Sequence, residues 1–234
     1  MNNPTNKKRI WELDFFRGVA LLLMVYFHAI YDMNEFFGYS VQYSTGFNYY
    51  TGKASVILFI LISGISCSLS RSNAKRGLKL LGVALLVSLF SYFYNPDFVI
   101  KFGIIHFFAV CMLLYPLLNK LNNVLLVISG SVIIALNLYT SNLNVSHDYL
   151  FPFGVTSPGF ASSDYYSLIP WLGLFLYGIF LGRILYKQKQ SLFPFEIGKN
   201  PVSFLGKHTL TLYIIHQPVI LAILTGIQYL NTKI

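Results

Sequence analysis

Seven stretches of this chain stay apolar long enough to cross a bilayer as helix, at roughly 12–34, 50–70, 77–94, 102–119, 123–140, 165–187 and 207–230. About 20 residues, rising about 1.5 Å each, suffice to span the hydrocarbon. A backbone in lipid must satisfy its own hydrogen bonds, which leaves only helices and closed barrels. Barrel strands alternate apolar and polar residues over short segments, whereas 19–29 and 56–65 run on without alternation. With 55% hydrophobic and 11% charged residues and a mean hydropathy of +0.60, the chain carries too much apolar surface for a soluble domain of its size. The expected fold is all-α, a polytopic membrane helix bundle of about seven transmembrane helices. It forms a single integral membrane domain over 1–234, with a short amino-terminal tail (1–9) and a long extracytoplasmic loop (141–164).

Charge predicts the orientation. With the amino terminus cytoplasmic, Lys7, Lys8, Arg9, Arg71, Lys75, Arg76, Lys79, Lys120, Arg183, Lys187, Lys189, Lys199 and Lys207 all fall on the inner side, while the outer side keeps only Lys53, Lys101 and Lys233. The net charge of +9 is therefore a topology signal and calls for no nucleic acid. The first segment is too long and too charged for a cleaved signal peptide and is expected to remain as an anchor, so the chain reads as a multi-pass protein of the plasma membrane. Cys67 and Cys111 lie in or beside apolar segments and suggest packing, with neither a disulfide framework nor a metal site.

Ionisable side chains are costly in lipid and default to functional positions. Four of them share one face of the first segment. At about 100° per residue, Asp14, Arg17, His28 and Asp32 project within a wedge of about 60°, with Arg17 and His28 about 16 Å apart along the axis and the apolar Leu21 and Val25 between them. Four residues apart on one face, Asp32 can orient His28, which is half of a general-base device. Arg17 either snorkels, pairs with Asp14 or binds a ligand.

His106 enters the fourth segment at a depth comparable to His28. His216 lies mid-way along the last segment, before Gln217 and Pro218, and the proline frees a preceding carbonyl. The 71–79 loop gathers Arg71, Lys75, Arg76 and Lys79, either as topogenic charge or as a phosphate clamp. Gly178 and Gly182, four apart, suit close helix packing. The stretch after the fifth segment, 139–164, with His147 and Asp148, is a candidate lid or acceptor-binding loop, or else a disordered connector.

Four motifs in order carry a resemblance. Arg9-x-x-Glu12-Leu13-Asp14-x-x-Arg17-Gly18, Phe102-Gly103-Ile104-Ile105-His106, Pro170-Trp171-x-Gly173, and Leu205-Gly206-x-x-Thr209-Leu210-x-x-Tyr213-x-x-His216-Gln217-Pro218 resemble the bacterial members of the heparan-α-glucosaminide N-acetyltransferase catalytic-domain family. A weaker similarity, the spacing of Arg17 and His28 on the first helix, is to the membrane acyltransferase-3 family.

The resemblance implies a transmembrane acetyltransferase that takes the acetyl group of cytosolic acetyl-CoA and delivers it to an extracytoplasmic acceptor, a glycan or amino sugar. Where lysosomal members carry a catalytic histidine after the motif helix, 34–52 contains none. The catalytic expectation therefore falls on His28 with Asp32, and then on His106. Arg17, Arg71, Lys75, Arg76 and His216 are the candidates for holding acetyl-CoA, with His216 or His106 also able to stabilise an oxyanion, and Asp164 and Trp171 those for the acceptor. A homodimer is compatible with this reading. The alternative class, a proton-coupled small-molecule transporter, would also use buried His and Asp but would need no phosphate site.

Overall fold

The computed structural model describes residues 9–143, 145–195, 197 and 200–231. Eight α-helices run through them: α1 (Trp11–Glu35), α2 (Gly46–Leu69), α3 (Asn73–Tyr94), α4 (Ile104–Leu118), α5 (Asn123–Thr140), α6 (Leu168–Leu185), α7 (Pro201–Lys207) and α8 (Thr209–Asn231). Six of them (α1, α2, α3, α5, α6 and α8) are long and apolar enough to cross a membrane, and α4, at 15 residues, is the shorter seventh. The protein is thus a polytopic helical membrane protein, and each of the seven apolar stretches read from the sequence is matched by one of these helices, with ends displaced by up to four residues. The Lys7 and Lys8 of the inner cluster, together with Lys199 and Lys233, lie outside the described residues.

Boundaries move where local chemistry outweighs hydropathy. The α2 helix opens four residues early at Gly46, which takes a positive φ of 64°. The α3 helix begins at Asn73, whose buried side-chain amide donates to the Cys67 carbonyl at 2.8 Å. The last stretch is preceded by a separate short helix, α7, which starts at Pro201. Asn200 caps it by accepting from the Val202 N–H at 2.8 Å.

The chain divides into two compact units, Met1–Ile62 with Gln188–Ile234, and Ser63–Lys187; α2 passes from one to the other. In the first unit α7 packs on the amino-terminal half of α1, and α8 also lies against α1. The α1–α7 contact depends on two glycines. A side chain on Gly18 would meet the Val202 carbonyl, and one on Gly206 would meet the Asp14 carbonyl. The same end of α1 fastens the segment before α7: the Trp11 indole N–H donates to the Phe195 carbonyl at 3.0 Å, and Glu12 accepts from the Leu192 N–H at 2.8 Å.

In the second unit α3 pairs with α4 and α5 with α6. Its centre is filled by the fully buried Phe107, Leu126, Phe175, Leu176 and Ile179. Cys67 and Cys111 are both buried there. Gly178 lies against Gly64, and Gly182 against Ser68, so both act as the small residues that close helix packing requires. Exposed apolar side chains such as Leu85, Leu89, Phe90 and Phe93 on α3, and Val219, Ile223 and Ile227 on α8, suit contact with lipid tails.

Candidate active site

The first unit brings three of the expected residues together and adds one. His28 and Asp32, a turn apart on α1, face α8, which supplies His216 and Gln217. Asp32 is fully buried. Its two carboxylate oxygens accept from the Gln217 amide nitrogen at 2.9 and 2.8 Å. The Gln217 carbonyl oxygen lies 3.2 Å from His28 Nδ1, and His216 Nε2 lies 3.2 Å from the same nitrogen. The two imidazoles meet edge to face at 4.9 Å between centroids. His216 Nδ1 in turn rests on the Tyr213 carbonyl.

The direct Asp32–His28 hydrogen bond expected from their spacing is replaced by an indirect one through Gln217. Aspartate is short, and both of its oxygens are engaged by an amide reaching across from α8. Gln217 is the functional candidate that the sequence did not single out, although an amide between a histidine and a helix-breaking proline inside an apolar span was a signal. Pro218 cannot donate to the Ile214 carbonyl one turn back. The helix nevertheless continues past it to Asn231.

At the other end of α1, Arg17 Nη1 donates to Asp14 at 2.6 Å, and Arg9 Nε holds the other carboxylate oxygen of Asp14 at 2.6 Å. Asp14 is buried and Arg17 only partly so, which makes Arg17 first of all the ion-pair partner that its spacing allowed. Its side chain keeps a quarter of its surface exposed, and a ligand could share it.

The second unit holds the remaining candidates. His106 is buried, with Nε2 3.1 Å from Ser88 Oγ and its ring stacked on Phe102. Asp164 accepts from the Ile104 N–H at 2.9 Å and so caps α4 from 60 residues away. Trp171 sits edge-on against Tyr166 at 5.5 Å. Arg71, Lys75 and Arg76, around the start of α3, are exposed. In the candidate lid, Asp148 accepts from the Ser157 N–H at 2.6 Å, which holds its carboxyl below the usual range.

A membrane-embedded helical protein with paired histidines and a buried carboxylate within its spans belongs to the class of polytopic membrane proteins with an intramembrane polar site. The family is narrower: the model of the heparan-alpha-glucosaminide N-acetyltransferase catalytic family matches residues 9–218, and the chain belongs to that family. Comparison with curated proteins and with solved structures returns no match. Membership makes the chain a member of a transmembrane acetyltransferase family.

Proposed function

We propose that this protein moves an acetyl group from cytosolic acetyl-CoA to an amine or hydroxyl of an extracytoplasmic acceptor, a sugar, in the plasma membrane. The observation that carries the reading is the His28 cluster, an imidazole tied through Gln217 to a fully buried carboxylate inside a membrane span. Such a group is costly to keep in lipid without a function. It suits a general base.

In the reaction His28 takes the proton of the acceptor N–H or O–H as the acceptor attacks the thioester carbon. The tetrahedral intermediate collapses, the C–S bond breaks, and the same proton passes to the departing thiolate. The products are acetylated acceptor and CoA thiol, with His28 restored. Arg17, Arg71, Lys75 and Arg76 are candidates for the CoA phosphates, His216 for contact with the donor or the oxyanion, His106 for a second base, and Asp164 and Trp171 for the acceptor.

The deciding experiment pairs binding with turnover. The purified protein should bind CoA and gain thermal stability from it. His28→Ala should keep that binding and lose acetyl transfer, by roughly the 10²–10⁴-fold that a general base contributes. Absence of CoA binding would remove the acetyltransferase reading in favour of a transporter; normal turnover by His28→Ala would move the base elsewhere, first to His106. Labelled acetyl-CoA supplied to membranes would then show which envelope fraction is the acceptor.

A further inference from the structure

We propose that Gln217 is a positioning residue that decides which nitrogen of His28 reacts: it holds the ring proton on Nδ1 and leaves Nε2 bare. An ionised carboxylate can only accept hydrogen bonds. The Gln217 amide nitrogen stands within 2.9 Å of both Asp32 oxygens, so its N–H groups face Asp32 and its carbonyl oxygen faces His28. That oxygen, 3.2 Å from Nδ1, accepts only. Nδ1 must therefore carry the proton. A neutral imidazole has one N–H, so the lone pair is on Nε2.

A second line of contacts reaches the same assignment from the other side. His216 Nδ1 rests on the Tyr213 carbonyl, another pure acceptor, so His216 carries its own proton on Nδ1. Its Nε2 is then bare, and it is this atom that lies 3.2 Å from His28 Nδ1. Two acceptors, the Gln217 oxygen and the His216 nitrogen, thus converge on one His28 proton.

The consequence for catalysis rests on the acetyl-transfer reading, whereas the tautomer does not. When Nε2 takes up the acceptor proton, the new positive charge on His28 already faces the negative ends of two fixed dipoles, with the Asp32 carboxylate behind one of them. No reorientation is needed as the charge appears. An amide between Asp32 and His28 also allows the carboxylate to stay fully buried while the ring remains partly accessible.

The test is spectroscopic first and kinetic second. Protein labelled with ¹⁵N-histidine, in detergent and at a pH where His28 is neutral, should show His28 with protonated Nδ1 and bare Nε2; the resonances are assigned by their loss in His28→Ala. Gln217→Leu removes one of the two acceptors and leaves His216 Nε2, so it should weaken the preference and give a mixture of tautomers. In acetyl transfer it should lower kcat, by no more than the roughly 10²–10⁴-fold of general-base assistance, with the KM for acetyl-CoA unchanged.

A proton on Nε2 in the unaltered protein overturns the proposal, as does a Gln217→Leu variant with the same tautomer and kcat. Should Gln217→Leu fail to fold, Asp32→Asn poses the same question at nearly constant volume. An amide facing an amide no longer dictates which end of Gln217 meets His28, so an undiminished Nδ1 preference in that variant would also overturn it. If the tautomer is found as assigned but no acetyl is transferred, the positioning role stands and the enzymatic reading is what fails.

Discussion

Asp164 illustrates how a residue's neighbours revise its meaning. Its sequence position marked it for acceptor binding, yet its carboxylate satisfies the first N–H of α4. Asp164→Ala should therefore cost about 0.5–2 kcal/mol, the ordinary value of a lost amino-terminal cap, seen as a lower unfolding temperature. If the residue also holds the acceptor, that variant raises the acceptor KM as well; an unchanged KM restricts it to capping. Tyr43 offers a simpler check outside the spans. Its hydroxyl donates to Glu35 at 2.7 Å, which pushes its ionisation up to about 12. The raised value means that this hydrogen bond contributes fully below the ordinary tyrosine range near pH 10 and is lost as pH climbs from there through about 12. Phenolate absorbance compared with Tyr43→Phe should show one tyrosine titrating at that upper end. His28 and Asp32 could be read from sequence because helical periodicity puts them on one face. Gln217 could not, because periodicity names the face of a helix and not the helix that meets it.

The same divide holds for elements. Every long apolar stretch is matched by a helix in the structure, since lipid leaves a spanning backbone few alternatives. The helix ends were less legible. They are set by particular contacts, such as Asn73 on the Cys67 carbonyl or Asn200 on the Val202 N–H, that leave no mark in hydropathy. The α7 helix, only seven residues long and ahead of the last apolar stretch, was not read from the sequence at all. Its packing on α1 now yields a sharp expectation. Because a Cβ on Gly18 or Gly206 would run into backbone rather than a movable side chain, Gly18→Ala and Gly206→Ala should each destabilise the protein by about 1–3 kcal/mol, as overpacking does. Thermal unfolding in detergent measures it, and an unaffected melting temperature would mean that α7 can shift away from α1.

Across the whole molecule, charge is the property with the longest reach. Arg71 and Arg76 lie exposed around the start of α3. If they serve the CoA phosphates, Arg71→Ala combined with Arg76→Ala should weaken CoA binding about two- to tenfold at low salt, the scale of exposed ion pairs. The difference should shrink as salt screens the attraction. Equal affinities at low salt would leave these cations with topology alone. The His28–Gln217 contact joins residues 189 positions apart, bringing α8 onto α1. A ribosome therefore finishes nearly all of the membrane-spanning chain before this cluster can exist. Any translation product that stops short of Gln217 leaves His28 and Asp32 in the bilayer without their bridge; on the proposed acetyl-transfer reading, truncated chains should be inert however well they insert, and supplying α8 as a separate peptide is the direct way to attempt their repair.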